Sequence, residues 1–389
     1  MDRNDGREAV EKDIAIIGGS AAGLFTARLL AHQGLHVRVF DAEDSIDPFA
    51  RTLIVTDRIK EVLGSLCNRA AVNEIHRFEL FADGRIATIL LQRPDLILER
   101  SILIRELKAQ AEASGAKVLT GMRFLSLKPN GEDLTFILLR NGKEDVVEES
   151  ANIVVGADGA LSEVAQSAGW PPRPTASLIQ AVVELPKDMS PDTARVWFVP
   201  EETPYFYWLI PHSTANGVLG VIGDEERESR TSLERFLEKR SLVPTEFQSA
   251  RVSRYTRWVP NHKRIGESDV YLVGDAASHV KLSTVGGLMT GFRGALGVTE
   301  AILNGGLSRE FWSLRHDLNL HLLIRKVLSR FTQQDYARLL DFLTPSVMRS
   351  LSRFNRDESK KLLLHAFLKE PRLLLLGLRA LLHGKLLSS

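Results

Sequence analysis

Three short runs of mostly apolar and β-branched residues lie far apart along the chain, and each ends abruptly in a glycine. The runs and the glycines that follow them are residues 14–17 with Gly18, residues 152–155 with Gly156, and residues 270–273 with Gly274. Runs of this kind predict strands that are buried on both faces of a sheet. Three such strand ends predict one sheet whose C-terminal edge surrounds one extended ligand.

The first run opens a strand–helix–strand unit over residues 13–41. Its strand leads into GGSAAG, in which Gly18 makes the tight turn and Gly23 lets helix and strand pack closely. The second strand ends on Asp41, 18 residues after Gly23, where a carboxylate can accept hydrogen bonds from ribose hydroxyls. Ser20 replaces the middle glycine of the usual pattern. The unit predicts a dinucleotide site, and the alternative is a plain βαβ unit.

Small residues and one carboxylate, Asp275, follow the third run in the sequence GDAA. A ligand can approach such a backbone closely, and the carboxylate can accept hydrogen bonds from hydroxyls. Further along, Gly286-Gly287 precedes a helix that is predicted to begin at Leu288. N–H groups at such a helix start can hold a phosphate or the negative charge of a reduced cofactor ring. A structural connection between strand and helix is the alternative.

Alternating apolar and polar residues predict antiparallel strands between these glycine turns. A hairpin is predicted from residues 77–81 and 86–90, and further strands at 180–185, 195–199, 205–210 and 217–222. The predicted fold is therefore mixed α/β (α+β), with a Rossmann-like nucleotide-binding domain interleaved with an antiparallel-sheet substrate domain, plus C-terminal helices. The nucleotide-binding domain takes residues 11–70, 97–170 and 257–305, the sheet domain 71–96 and 171–256, and the helical region 306–389.

Aromatic residues are concentrated in one predicted strand, in the sequence YFYW at residues 205–208. Aromatic side chains favour strands in any case, so these residues are consistent with an ordinary core strand. They are equally consistent with the wall of a cavity for a flat ring or an apolar substrate. The two interpretations have about equal weight.

Composition and charge narrow the location and the partners of the chain. Of 389 residues, one is cysteine, which excludes a disulfide framework and a cysteine-rich metal site and fits a reducing cytoplasm. The charged first residues do not form a secretory signal. Residues 309–389 contain 15 Lys and Arg against 7 Asp and Glu, a local balance of +8 that leaves −7 on the first 308. A basic C-terminal region favours an anionic lipid or protein surface over nucleic acid as a partner.

The last predicted helices, residues 362–387, mix an apolar majority with basic residues. Their charges interrupt the apolar sequence too often for a membrane span. Three alternatives remain open: peripheral contact with a membrane, the wall of a hydrophobic tunnel, or a buried helical bundle.

The three glycine motifs, GGSAAG with Asp41, GADGALS and GDAASHVKLSTVGG, resemble in that order the FAD motifs of the aromatic-hydroxylase-fold oxidoreductases. Within that superfamily the chain looks most like the geranylgeranyl reductase branch. This second resemblance is carried by the lysine and TVGG that follow GDAAS, by PYFYWLIP at residues 204–211, and by the late segment KEPRLLLLGLRALL. PYFYWLIP is also similar to the WxWxIP motif of flavin halogenases.

The resemblance implies FAD as the cofactor and NAD(P)H or a reduced electron carrier as a transient donor. The cofactor-binding residues that it implies are Gly18, Gly19, Ser20, Ala22, Gly23, Asp41, Arg51, Thr52, Arg100, Asp158, Gly274, Asp275, Gly286 and Gly287. The substrate-binding residues that it implies are Tyr205, Phe206, Tyr207, Trp208 and Pro211. No metal site is expected.

The activity implied first is the reduction of C=C bonds in an isoprenoid or similar lipid. Flavin N5 delivers a hydride to one carbon, and an acid protonates the other. The candidate acids are His279, Tyr207 and His212, and Lys281 is a candidate electrostatic partner for reduced flavin. For each of these residues the alternative is a purely structural or solvated side chain.

Two other functions are compatible with the sequence. One is a flavin monooxygenase or halogenase that acts on an apolar or aromatic substrate through a flavin hydroperoxide. The other is a flavin-bound lipid carrier without catalytic activity.

Overall fold

The computed structural model describes residues 12–46, 51–131, 133–140 and 145–383. Residue 11 of the predicted nucleotide-binding domain and residues 384–389 of the predicted helical region lie outside the described residues. The strands are β1 Asp13–Ile17, β2 His36–Phe40, β3 Thr52–Val55, β4 Ala71–Ala82, β5 Arg85–Glu99, β6 Lys117–Leu119, β7 Met122–Asn130, β8 Asp133–Arg140, β9 Val146–Ala151, β10 Ile153–Gly156, β11 Thr175–Glu184, β12 Thr193–Trp197, β13 Tyr207–Pro211, β14 Asn216–Gly223, β15 Pro244–Ser253, β16 His262–Ile265 and β17 Ser268–Leu272. The helices are α1 Ala21–His32, α2 Ile59–Leu63, α3 Leu66–Ala70, α4 Arg100–Ala113, α5 Glu163–Ser167, α6 Glu226–Lys239, α7 Leu288–Leu303, α8 Arg309–Leu328, α9 Gln333–Asp341, α10 Pro345–Arg353, α11 Ser359–Lys369 and α12 Pro371–His383, with a 3₁₀ turn at Gly274–Ala277.

A six-stranded sheet brings the three glycine turns together. Its strand order is β16-β17-β10-β1-β2-β6, and all neighbours are parallel except β16 and β17. The three strands that precede the glycine turns, β1, β10 and β17, are therefore adjacent. Because they run parallel, their turns emerge at the same edge of the sheet, as the sequence predicted.

Both faces of this sheet are covered, which explains why its central strands are apolar without alternation. Ile14, Ile16 and Val155 pack on one side with helices α1, α4 and α7. Ala15 and Val154 pack on the other side with the antiparallel sheet of β7, β8 and β9. Alternate side chains of one strand therefore stabilise two separate cores.

An eight-stranded sheet forms the second layer, in the order β15-β11-β14-β13-β12-β4-β5-β3. Its neighbours are antiparallel except β12 and β4, which are parallel. One face packs against helix α6, and the other face lies over a large cavity. Neither α6 nor β15 was predicted from the sequence.

Two local predictions differ from the structure. Residues 52–55 were placed in the nucleotide-binding domain, but β3 pairs with β5 at the edge of the eight-stranded sheet. The sequence also predicts one helix around residues 57–66, whereas the structure has two short helices separated at Gly64-Ser65. The mixed α/β fold class is confirmed, whereas the domain boundaries remain a prediction.

The C-terminal helices cover the eight-stranded sheet and the cavity. Helix α8 packs on α7, while α9 and α10 pack on the β4–β5 hairpin. Phe331, Tyr336, Leu340 and Val347 form part of a separate buried cluster there. Within the described residues, none of the helices combines the length and apolar character that crossing a membrane requires.

Candidate active site

One cavity of about 840 Å³ lies between the glycine edge of the six-stranded sheet and the open face of the eight-stranded sheet. All three glycine turns contribute to its wall. Their contributing residues are Ser20, Ala21, Ala22, Ala157, Gly159, Ala160, Gly274, Asp275, Gly286 and Gly287. The volume falls within the range of about 300–1,000 Å³ that is usual for small-molecule sites.

The first glycine turn leaves no space for a side chain at Gly18 or Gly23. Gly18 has φ +107°, and a Cβ there would lie 2.5 Å from the carbonyl oxygen of Ala157. A Cβ on Gly23 would lie 2.3 Å from the carbonyl oxygen of Gly18. Ser20 caps helix α1, because its Oγ accepts the N–H of Gly23 at 3.2 Å. The serine that departs from the usual pattern therefore orders the start of the helix.

Asp41 at the end of β2 binds the same turn. Its Oδ2 accepts the N–H of Gly19 at 2.5 Å, and its Oδ1 accepts the N–H of Glu43 at 2.9 Å. The carboxylate therefore lies next to the start of α1, and both of its oxygens accept backbone N–H groups.

Two arginines give this end of the cavity a positive charge. Arg51 and Arg100 both line it, and neither guanidinium forms an ion pair or hydrogen bond with a described residue. Burial lowers the pKa of Arg51, against the charges of Asp275 and Glu99. Burial also lowers the pKa of Arg100, and the neighbouring charge of Arg51 lowers it further. Two half-buried cations held side by side favour a bound anion such as a phosphate group.

The third turn adds a buried carboxylate and an open helix start. Oδ2 of Asp275 accepts the N–H of Ser253 at 3.2 Å, and burial raises the pKa of the Asp275 carboxyl. Helix α7 begins after Gly287, which has no side chain to cap the N–H groups of the first turn. Asp275 and the open helix start are adjacent, because a Cβ on Gly287 would lie 3.3 Å from Asp275 Oδ1.

Backbone strain marks the loop between these two features. Val285 has φ +51°, in the left-handed region that costs a β-branched residue about 1–2 kcal/mol. The loop is closed by the N–H of Lys281, which donates to the carbonyl oxygen of Gly286 at 3.1 Å. Strained loops of this kind cluster at ligand sites.

Asp158 lies in the second turn but does not line the cavity. Its Oδ1 accepts the Ser162 hydroxyl at 2.6 Å, and its Oδ2 accepts the N–H of Val164 at 3.0 Å. Burial raises the pKa of the carboxyl, against these hydrogen bonds. The sequence suggested that Asp158 contacts the cofactor. Instead the side chain orders the turn, and its neighbours line the cavity.

The aromatic strand β13 presents only alternate side chains to the cavity. Phe206, Trp208 and Ile210 line it. Tyr207 lies on the opposite face, where its ring stacks on Phe236 at 4.1 Å between centroids and its hydroxyl donates to Glu202 at 2.6 Å. The prediction that Tyr207 is a catalytic acid and contacts substrate was therefore wrong.

The two outer residues of this segment also lie outside the cavity lining. Tyr205 is buried below the Arg325 guanidinium, whose carbon lies 4.9 Å from the ring centroid. Pro211 ends strand β13 and is buried in the sheet. Neither residue supplies a surface for substrate.

His279 is also outside the cavity, although it follows the third turn. Its ring packs against helix α7, where a Cβ on Gly294 would lie 2.1 Å from Nδ1, and Nε2 lies 3.3 Å from Asn261 Nδ2. Burial and the charges of Arg173 and Arg293 lower the pKa of the ring to about 3. The ring does not line the cavity, and burial disfavours its protonated form, so the structure does not support His279 as a catalytic acid.

The two remaining candidate residues are His212 and Lys281. His212 does not line the cavity, but its Nδ1 lies 2.9 Å from the Oγ1 of Thr52, which does. Lys281 lines the cavity and forms a buried ion pair with Asp357, whose other oxygen accepts the Thr56 hydroxyl. Burial alone would raise the pKa of Asp357, but the Lys281 charge and these hydrogen bonds lower it to about 2.

A second ion pair, between Asp95 of β5 and Arg356, lies beside the first one. Arg356 Nη2 is 2.5 Å from Asp95 Oδ2, and both residues line the cavity. Sequence reasoning missed Asp95, Arg356 and Asp357. Asp95 could have been identified from the sequence, because it is a single acid directly before the apolar residues 96–98. Arg356 and Asp357 could not, because only the tertiary structure brings them to the site.

The rest of the cavity is an apolar chamber walled by aromatic and aliphatic side chains. These are Phe78, Leu80, Phe198, Phe206, Trp208, Ile210, Ile222, Leu328, Tyr336, Leu351 and Leu362. The polar glycine end and this chamber are parts of one continuous space. The arrangement suits a phosphate-bearing molecule at one end and a hydrophobic molecule at the other.

The sequence is similar over nearly its whole length to proteins named digeranylgeranylglycerophospholipid reductase. A digeranylgeranylglycerophospholipid reductase from Methanothermobacter thermautotrophicus is 27% identical, over 95% of this chain and 99% of that protein. A second reductase of this name, from Methanosarcina acetivorans, is 25% identical over 95% of this chain and 96% of that protein.

The fold is similar to those of several flavoproteins. A geranylgeranyl bacteriochlorophyll reductase-like protein from Thermoplasma acidophilum superimposes with a TM-score of 0.77 at 19% identity, over 92% of this chain and 96% of that chain. A flavin-dependent brominase superimposes with a TM-score of 0.65 at 15% identity, over 91% of this chain and 93% of that chain. The model of the FAD binding domain family matches residues 11–299. The chain therefore belongs to the FAD binding domain family.

Proposed function

We propose that this protein is an FAD-dependent reductase of C=C bonds in an isoprenoid lipid. The observation that carries the proposal is the single cavity in which the three glycine turns open directly into an apolar chamber. The digeranylgeranylglycerophospholipid reductases that resemble the chain over 95% of its length support the same activity.

The residues of the glycine end fit FAD. The narrow turn at Gly18 and the start of α1 would hold the diphosphate, with Arg51 and Arg100 balancing its charge. Asp41 would bind the adenosine ribose. Asp275 would bind the ribityl chain, and the open start of α7 would lie beside the flavin ring. NAD(P)H or a reduced electron carrier would reduce the flavin in a transient encounter.

The apolar chamber would hold the isoprenoid chain. Reduced FAD, when bound, supplies the hydride for the alkene. The aromatic walls formed by Phe206 and Trp208 would orient the chain against the cofactor and exclude water. Lys281, already paired with Asp357, would contribute positive charge from the loop of residues 281–286, which we call the flavin loop.

Peripheral contact with a membrane would bring the lipid to the chamber. Exposed leucines on α11 and α12 are Leu364, Leu368, Leu374, Leu375, Leu378 and Leu382, each between 44% and 72% exposed. The same two helices carry Lys361, Lys369 and Arg372. Apolar side chains flanked by cations are typical of helices that lie in the surface of an anionic bilayer. Leu362 of α11 lines the cavity, so this surface adjoins the chamber.

The decisive experiment is photoreduction of the FAD-loaded protein without oxygen, followed by addition of isoprenoid lipids. A reductase reoxidises the flavin under these conditions and yields lipid with fewer double bonds. A monooxygenase or halogenase would require oxygen, and an inactive carrier would show no reoxidation at all. Failure of every unsaturated lipid to reoxidise the flavin would overturn the proposal.

A further inference from the structure

A proton donor is needed beside the hydride donor, since reduction of an isolated alkene adds H⁻ to one carbon and H⁺ to the other. The described residues that line the cavity include few groups able to supply that proton. The Tyr336 hydroxyl donates to the carbonyl oxygen of Leu328 at 3.0 Å, and burial raises its pKa. Asp357 is ionised beside Lys281, and Asp275 lies at the cofactor end, near Arg51.

We propose that Asp95 is the acid that protonates the alkene, and that Arg356 is the residue that positions it. This inference rests on the proposed reductase function. Asp95 is 3% exposed and lines the cavity, yet its Oδ1 has no hydrogen-bond partner among the described residues. Only Oδ2 is held, by Arg356. One carboxyl oxygen is thus fixed, and the other remains available to a substrate in the chamber.

A continuous series of contacts joins Asp95 to the flavin loop. The carbonyl oxygen of Gly286 accepts the N–H of Lys281, and the Lys281 ammonium pairs with Asp357. Arg356, the next residue along the chain, pairs with Asp95. The carboxyl therefore lies at the part of the cavity where the glycine end meets the apolar chamber. An alkene bound there would lie between the glycine end, which would hold FAD, and the apolar chamber.

Arg356 is held in place by the cavity wall. Its guanidinium carbon lies 5.3 Å from the ring centroid of Phe78, which lines the chamber. Burial raises the pKa of Asp95, and the charge and hydrogen bond of Arg356 oppose that rise. The charged groups that face Asp95 are Arg356 and Asp357 on the loop between α10 and α11, and Lys281 on the flavin loop. Arg93 on its own strand pairs elsewhere, with Asp57 and Glu358.

Reduction of one C=C bond consumes one hydride and one proton. The π bond of the alkene is lost, one carbon gains the hydride that reduced FAD supplies, and the other gains the carboxyl proton of Asp95. The lipid is reduced by two electrons and the flavin is oxidised by two. The Asp95 carboxylate that forms is stabilised by Arg356, and solvent returns its proton before the next turnover.

The test compares Asp95→Asn with wild type in the FAD-loaded full chain. We expect anaerobic flavin reoxidation by an isoprenoid lipid to slow by on the order of 10²–10⁴ fold in Asp95→Asn, the range typical of a lost general acid. Asp95→Glu should retain part of the rate. FAD affinity should be unchanged, which excludes a collapsed site. The matched control is Glu79→Gln, because Glu79 is paired with Arg195 on the same sheet but does not line the cavity.

A second readout does not depend on turnover. Infrared spectra of the protein should contain the carbonyl stretch of a protonated, buried carboxyl that is missing in Asp95→Asn. In Arg356→Gln that band should persist to higher pH, because removal of the guanidinium raises the pKa of Asp95. The fall of the reoxidation rate with pH should move upward in parallel. A merely structural role for Asp95 would leave the pH profile in place.

The outcomes separate the two proposals. Absence of reoxidation in wild type with every lipid would overturn the reductase function itself. A wild type that reduces lipid, with Asp95→Asn equally fast or with an unchanged pH profile, would overturn the role of Asp95 alone. Loss of FAD binding in Asp95→Asn would also contradict the role of Asp95 as a proton donor, because it would show that the carboxyl maintains the structure of the site.

Discussion

Gly18 is the residue where a single methyl group has the largest expected effect on cofactor binding. The substitution Gly18→Ala would place Cβ 2.5 Å from the Ala157 carbonyl oxygen at φ +107°. We expect it to reduce the free energy of unfolding by about 1–3 kcal/mol and to abolish FAD binding, because the first or the second turn must shift. Urea denaturation and FAD titration measure the two effects.

Gly115 provides the matched control for that substitution. It has φ +103° but no neighbour within contact distance of a Cβ. Gly115→Ala therefore introduces the same backbone strain without the collision and without contact to the cavity. Equal FAD affinity in the two alanine variants would contradict the role given to the narrow turn.

The neutral ring of His279 makes stability depend on pH. The unfolded chain binds a proton at this ring near pH 6.5, whereas the folded chain does so only near pH 3, its lowered pKa. The contribution of the ring to stability is therefore complete above pH 6.5 and lost as the pH falls, by up to about 1.4 kcal/mol per pH unit. We expect His279→Gln to have a shallower decline in the free energy of unfolding between pH 6.5 and 4 than wild type. His76→Gln, at a half-exposed surface histidine, should decline as wild type does.

At the scale of secondary structure elements, strand β13 separates a binding face from a structural face. We expect Trp208→Ala to lower kcat/KM for the lipid by about tenfold or more, about 1.4 kcal/mol, because its indole lines the chamber. Tyr207→Phe removes only the hydrogen bond to Glu202, so it should cost about 0.5–1.5 kcal/mol of stability and leave kcat/KM nearly unchanged. Steady-state kinetics and thermal denaturation distinguish the two. A larger effect on kcat/KM at Tyr207 than at Trp208 would contradict the assignment of Trp208 to the binding face and Tyr207 to the structural face.

The parts of the site that lie on strands and helices could be predicted from the sequence, because the residue patterns of strands and helices are local. Apolar runs ending at Gly18, Gly156 and Gly274 identified the sheet edge, since parallel strands bring their ends together. The same reasoning failed for Tyr207, because a strand turns alternate side chains to opposite faces and composition does not reveal which set faces the cavity. Proximity along the chain also misled at His279, whose ring turns away under helix α7.

The ion pair of Asp357 could not be predicted from any local sequence pattern. Its ion pair with Lys281 joins residues 76 positions apart, and the Arg356–Asp95 pair joins residues 261 positions apart. Such contacts depend on how the C-terminal helices pack over the eight-stranded sheet. The sequence around Asp357 has the appearance of an ordinary charged loop between two helices.

At the scale of the whole molecule, the exposed leucines of α11 and α12 predict the orientation on a bilayer. We expect the triple variant Leu368→Ser, Leu375→Ser and Leu382→Ser to bind vesicles of anionic lipid several-fold more weakly, because apolar area is lost from the contact. Vesicle co-sedimentation measures the difference. Val243→Ser is the control, since this valine is 78% exposed but lies outside the C-terminal helices.

Retention of full vesicle binding by the triple variant would show that the helices face something other than lipid. Retention of reductase activity on detergent-dispersed lipid would show that the chamber itself is intact. The two measurements together distinguish delivery of the substrate from its chemistry.

The loop between α10 and α11 joins residues from the last part of the chain to a cavity whose wall begins at Ser20. Arg356 and Asp357 on this loop supply the ion-pair partners of Asp95 and Lys281. During synthesis, a chain that has not yet reached this loop lacks both ion pairs. We therefore expect the cavity to remain open to water until the C-terminal helices have been made.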